Sequence, residues 1–235
     1  MYNKEWKILT LSKEYYMVIY DQIKNDEAVK AYITAADESL RALGYTEHSF
    51  PHVQRVALTA AYILESLEYD KHTVELAKIA GALHDIGNLV NRSDHSQSGA
   101  VMAFRILDKH GMAPADIATV VTAIGNHDEG TGVPVNAVAA ALIIADKSDV
   151  RRSRVRNNDF ATFDIHDRVN YSVTSSTLTV NSDEKFLLLE LQIDISISPV
   201  MDYFEIFLAR MNMCRRASDM LGLEFRMTIN SQRII

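Results

Sequence analysis

The stretch LAKIAGALHDIGN, residues 76–88, decides how this chain is read. Leu76, Ile79, Ala80 and Leu83 recur at helical spacing, so the run predicts one buried face of a helix. That face leads directly into His84-Asp85, and Gly87 follows. Burying a charged carboxylate or an imidazole without a partner is costly, so a polar pair at the end of an apolar helix implies partners. His84 falls four residues after Ala80 and Asp85 four after Gly81, and small residues there leave room for a close neighbour.

Candidate partners lie on either side. His52 opens the apolar segment SFPHVQRVALTAAYIL (49–64), and His95 sits in SDHSQSGA (93–100). His127 follows Ile124 by three in IGNHDEGTG (124–132), and Asp146 follows Leu142 by four in AALIIADKSDV (140–150). Each continues or opens the inward stripe of a predicted helix. A lone buried histidine reads most simply as a satisfied core residue. An ordered series of imidazoles and carboxylates at several helix ends instead suits an interior metal centre. With no thiolate in the set, iron, manganese, cobalt, nickel or zinc is favoured over calcium or a structural zinc site.

The ordered set resembles the HD superfamily of metal-dependent phosphohydrolases over roughly residues 40–155. The resemblance implies an HD-type helical bundle in which His52, His84, Asp85 and Asp146 hold one divalent metal. It also implies that His95 and His127 support a second, with Asp85 bridging. A single metal, with His95 and His127 handling phosphate, is the alternative. The implied catalytic residues are His84 and Asp85, acting through metal-activated water on phosphorus. Many such proteins carry lysine after His-Asp-x-Gly, where this chain has Asn88. Asn88 can hydrogen-bond a phosphate but not neutralise it, so charge compensation is sought in Arg92, Lys147, Arg151 and Arg152. The basic run 151–156 reads equally as a solvated helix end. The segment HDEGTGVP (127–134) is similar to the longer motif of cyclic dinucleotide phosphodiesterases, but Val133 replaces its tyrosine and Asn126 its preceding histidine. His48, one turn before His52, reads as a surface or capping residue, with the same cavity as the alternative.

Composition sets outer limits. The 235 residues suffice for one large domain, or for a domain with an appendage. Cys214 is the only cysteine, which rules out an intramolecular disulfide and fits a reducing, cytoplasmic setting. A net charge of −7 argues against general nucleic-acid binding. No apolar run predicts a membrane span, and the start MYNKEWKILTLSKEYY lacks the apolar core of a secretory leader.

The fold expected is mainly α, with a small C-terminal β-β-α-β appendage. Residues 12–44 are predicted helical, from Tyr16, Ile19, Tyr20, Ile23 and then Val29, Ile33, Ala36 and Leu40, stopping at Gly44. Further helices are expected from Ser49, through Leu76 to His84, from Ser93-Asp94 (Ala100, Val101, Phe104, Leu107), from Pro114 and from Asn136. Asp164-Ile165-His166-Asp167 reads as a polar connector between a helical domain, 1–160, and the appendage, 161–235. Within the appendage, YSVTSSTLTV (171–180) and FLLLELQIDISI (186–197) predict a hairpin. A helix from Ser198-Pro199 places Met201, Phe204, Phe207, Leu208 and Met211 on one face, and LEFRMTI (223–229) adds a strand. The appendage is expected to tune access to the site or to form a homodimer through its sheet edge. The function expected is hydrolysis of a phosphoester or phosphoanhydride in a small nucleotide-like substrate. A nucleotide-sensing module without turnover is the alternative from a different class.

Overall fold

The computed structural model describes residues 17–235. The first helices are α1 (Tyr20–Asn25) and α2 (Glu27–Ala42), where the periodicity predicted one. The break is at Asp26, whose backbone is extended and whose carboxylate accepts from the Ala28 and Val29 N–H groups. A side chain that satisfies two free amides starts a new helix even where the apolar spacing runs on. Tyr16 and the rest of segment 12–16 lie outside the described residues. Helix α2 ends as expected: Gly44 adopts φ +83°, the Gly44 N–H reaches Arg41 O and the Tyr45 N–H reaches Leu40 O.

Helices α3 (Phe50–Ser66), α4 (Lys71–Leu83), α5 (His95–Lys109), α6 (Pro114–Gly125) and α7 (Ala137–Lys147) follow. Helix α7 lies at the centre. Val138 to Ala145 are buried on every side, as an all-apolar helix requires. It packs on α3, α4 and α6. Two glycines set how closely the neighbours approach. A Cβ on Gly81 of α4 would stand 2.6 Å from Ala57 Cα of α3. A Cβ on Gly87, in the 3-10 turn Ile86–Leu89, would stand 2.0 Å from His95 O. The inward stripe of α5 differs from expectation. Gly99, Ala100, Ala103 and Leu107 are buried, while Val101 (70%) and Phe104 (54%) are exposed. The turn against Gly87 selects the small residues, because only they permit that approach.

The C-terminal part contains a helix that sequence reading took for a connector, α8 (Ile165–Ser172). Asp164 caps it by accepting from the Asp167 N–H, and Val169 and Asn170 are buried. Strands β1 (Val173–Asn181) and β2 (Phe186–Ile193) form the antiparallel hairpin. Helix α9 (Val200–Met220) crosses over to β3 (Glu224–Ile229), which pairs parallel with β2, and β4 (Gln232–Arg233) closes the order β1-β2-β3-β4. A parallel pair needs such a crossover. Leu187, Leu189 and Leu191 of β2 align with Phe225, Met227 and Ile229 of β3, all buried. Helix α9 packs on this sheet and on α7. Its buried residues are Tyr203, Phe207, Met211, Met213, Cys214, Ala217 and Ser218, whereas Met201, Leu208 and Met220 are exposed. The helix is wedged between two neighbours, and apolar spacing alone did not show which of its two apolar sides turned inward. No helix among the described residues is long and apolar enough to cross a membrane.

The α3–α4 approach yields a stability test. Helix propensity alone would make Gly81→Ala stabilising by up to about 1 kcal/mol. The clash with Ala57 reverses the sign, and we expect a net loss of about 1–3 kcal/mol, read as a lower denaturant midpoint at unchanged slope. An unchanged or raised midpoint would contradict the packing distance.

Candidate metal centre

Helix ends build this site. The last carbonyls of an α-helix have no intrahelical donor. His84 caps the C-terminus of α4, and its Nδ1–H donates to Gly81 O at 2.8 Å. His127 follows the C-cap of α6 and donates to Ile124 O at 2.6 Å. His95 begins α5 and donates to Arg92 O at 3.1 Å. His52, in the first turn of α3, donates instead to the Asp149 carboxylate at 2.8 Å. With each Nδ1–H committed to an acceptor, Nε2 is the nitrogen that each imidazole has left to offer a metal.

These nitrogens converge. His52 Nε2 is 3.3 Å from His84 Nε2, and His95 Nε2 is 3.2 Å from His127 Nε2. All four histidines are buried. Two carboxylates lie among them. Asp85 Oδ2 is 3.5 Å from His52 Nε2 and 3.2 Å from His84 Nε2. Its other oxygen, Oδ1, is 3.5 Å from His95 Nε2 and 4.0 Å from His127 Nε2. Asp146 Oδ1 is 3.4 Å from His52 Nε2 and 3.7 Å from His84 Nε2. Three ligand triads have donor atoms within 4.8 Å of one another: His52-His84-Asp85, His84-His127-Asp146 and Asp85-His95-His127. Facing lone pairs repel unless a cation lies between them, so the donor set fits a divalent metal.

The electrostatics of the cluster point the same way. Burial opposes a charge on His84, but Asp85 and Asp146 override it and raise its pKa to about 10. Burial likewise opposes ionisation of Asp85 and Asp146, yet His84 and His52 hold the Asp85 carboxyl well below the usual range, and Lys147, followed by His52 and His84, does the same at Asp146. In the absence of a metal, a proton on His84 supplies the positive charge that these carboxylates favour, and a divalent metal bound there would take its place. His127 is pushed down to about 3 by burial and by the positive charges of His84 and Lys147, so it offers a neutral imidazole.

The remaining candidates fall into different surroundings. Asn88 is buried against Asp85, its Nδ2 donating to Asp85 O at 2.9 Å and to Oδ1 at 3.0 Å. Its own Oδ1 accepts from Arg92 at 3.3 Å. Lys147 is buried on Asp146 at 2.6 Å and on Glu129 at 3.3 Å. Arg151 is engaged by Glu47, Asp149 and Ser153, and Arg152 by Tyr171 O. His48 is half-buried, and its ring stands edge-on to His52 with centroids 5.5 Å apart. Asp149 and Arg154 were missed by sequence reading. Asp149 is buried and paired with His52, Arg151 and Arg154. Its place three residues after Asp146, on the following turn, was the available signal.

The HD-domain family model matches residues 50–151. That span, under half of the chain, contains His52, His84, Asp85, His95, His127 and Asp146, and this part of the chain is similar to the HD domain. An uncharacterized Methanocaldococcus jannaschii protein, MJ1020, is 26% identical over 59% of this chain. The chain spans 62% of that relative's length. A crystal structure of a predicted HD superfamily hydrolase from an uncultured Thermotogales bacterium aligns over 56% of this chain and 73% of its own. It does so at 23% identity and a TM-score of 0.39.

The contact between His52 and Asp149 sets a measurable expectation. An acceptor that orients a ligating histidine is typically worth about 10–100-fold in metal affinity. Asp149→Asn is expected to weaken metal binding by that factor while His84, His95 and His127 remain in place. Titration with a competing chelator measures it, and an affinity within about twofold of wild type would deny Asp149 this role.

Proposed function

We propose that this chain hydrolyses a phosphoester or phosphoanhydride bond in a small nucleotide-like substrate. His52, His84, Asp85 and Asp146 hold one divalent transition metal, and His95 and His127 complete a second seat that Asp85 shares. The observation that carries this reading is the division of the Asp85 carboxylate. One oxygen faces the His52-His84 pair and the other the His95-His127 pair. Iron, manganese, cobalt, nickel and zinc all suit the donors.

Divalent ions in these seats would supply Lewis acidity, activating water at neutral pH and offsetting charge on a phosphoryl group. The side chains supply the geometry. Asn88 donates to Asp85 Oδ1 and fixes the carboxylate plane. Lys147 balances Asp146 from below, so the buried carboxylate keeps its charge. Arg92, tethered by Asn88, brings a cation to the cluster that Asn88 cannot provide itself. No protein nucleophile is needed. Cys214 is buried on α9, and burial pushes its thiol up to about 12, which leaves it protonated. Hydrolysis then adds the water oxygen to phosphorus and a proton to the departing oxygen.

Elemental analysis coupled to phosphate release from a nucleotide panel tests the reading. Wild type is expected to hold up to two metal ions per chain and to release phosphate over many turnovers. His95→Ala should lose part of the metal, and Asp85→Ala nearly all of it together with turnover, a loss of at least about 100-fold. Equal metal content in wild type and Asp85→Ala would sink the assignment. Full metal content and nucleotide binding without turnover would favour a sensing module.

A further inference from the structure

Beside the metal centre lies a cavity of about 430 Å³ whose walls come from both ends of the chain. His48, Arg92 and Arg154 form the wall next to the cluster, and His48 leads directly to His52. The opposite wall comes from α8 and α9, with Phe207 and Arg210 among its residues. Three guanidinium groups thus meet around one space in a chain whose net charge is −7, and the two carboxylates that also line it, Asp164 and Asp167, accept from the Asp167 N–H and from Asn157. Local concentration of cations against the overall charge marks a place for an anion.

Arg210 stands apart from the other two. Arg154 is spent on structure: it donates to Glu47 O and Asp149 O and is buried. Arg92 is held by Asn88 and lies over the Tyr45 ring. Arg210 is anchored at two points only. Its guanidinium lies 4.5 Å over the Phe207 ring, and its Nε meets Glu129 at 2.6 Å. Its terminal amino groups have no hydrogen-bond partner among the described residues, yet the side chain lines the cavity and is only 27% exposed. A planar fork, immobilised along its stem and face with its end donors uncommitted, suits bidentate capture of a phosphate.

We propose that Arg210, delivered by α9, binds the anionic group of the substrate, which makes the C-terminal part a wall of the substrate site. This rests on the hydrolase reading for the identity of the cavity as a substrate site. The cavity volume is near the lower end of the range for small-molecule sites, about 300–1,000 Å³. It therefore takes a compact phosphate ester of mononucleotide size. Glu129 completes the design from behind. It pairs with Arg210 and with Lys147, and Lys147 pairs with the cluster carboxylate Asp146, so the anion-binding arginine is fixed relative to the metal seats.

The test is calorimetric binding of inorganic phosphate to the metal-loaded full chain, with metal content and melting temperature recorded for every variant. Arg210→Gln is expected to keep its metal and to bind phosphate at least about tenfold more weakly, the scale of a lost charge-assisted contact. Arg210→Met retains the packing on Phe207 and carries the same expectation should the glutamine variant prove unstable. Arg215→Gln removes an exposed arginine of the same helix that does not line the cavity, and its phosphate affinity is expected within about threefold of wild type. Three results would overturn the proposal. They are wild-type affinity in the Arg210 variants, equal losses in Arg215→Gln and Arg210→Gln, and no phosphate binding by the metal-loaded wild type. Phosphate binding that depends on Arg210, in a protein that hydrolyses no phosphate ester, would defeat the hydrolase reading and leave the anion site standing.

Discussion

The hydrogen bond from a histidine Nδ1–H to a carbonyl three residues earlier is the contact on which this structure turns. It occurs at His84, His95 and His127. Each bond uses a backbone acceptor available at a helix boundary. It fixes the tautomer, anchors the ring and sends the Nε2 lone pair away from the helix. Where the first turn of α3 offers no such carbonyl, the buried carboxylate of Asp149 takes that part for His52. The same contacts that finish the helices therefore aim the ligands.

Close helix approach is what brings the aimed rings together. Gly81 lets α4 approach α3, which brings His84 against His52. Gly87 lets the turn after Asp85 press on the start of α5, which brings His95 to the far oxygen of Asp85. Around the cluster, apolar helices exclude water and strengthen every electrostatic interaction within it. The cost of burying these charges is offset pairwise: Asp146 by Lys147, Asp149 by Arg151 and Arg154, and Lys147 in turn by Glu129. Arg210 extends that alternating series into the C-terminal part, so α9 is electrostatically continuous with the metal seats.

The position after His-Asp-x-Gly shows how one substitution is absorbed. Asn88 cannot neutralise an anion, but it donates to Asp85 and accepts from Arg92. A short amide thus orients the carboxylate and holds an arginine four residues on. Lys147 and Arg151, close to the ligands in sequence, are engaged by carboxylates instead. Proximity along the chain did not distinguish cations that balance buried acids from those left over for a ligand.

What the sequence determined by itself is local. The apolar runs, the turn glycine at Gly44, the helix openings near Ser49, Pro114 and Asn136, and the alternation of residues 186–193 fixed the elements. The order of His52, His84-Asp85, His95, His127 and Asp146 marked the cluster, because residues at the ends of inward stripes must meet in the interior. Side-chain capping, helix faces and long-range partners were decided by tertiary structure. Asp26 divides a continuous apolar pattern because its carboxylate satisfies two amides. The faces of α5 and α9 were chosen by their neighbours, since both sides of each helix carry apolar residues and only packing selects between them. The pairing of Asp149 with His52 and of Arg210 with Glu129 was decided in three dimensions. A charged side chain gives the same signal in a sequence whether it faces solvent, a buried ligand or a cavity, and only its partners tell these apart.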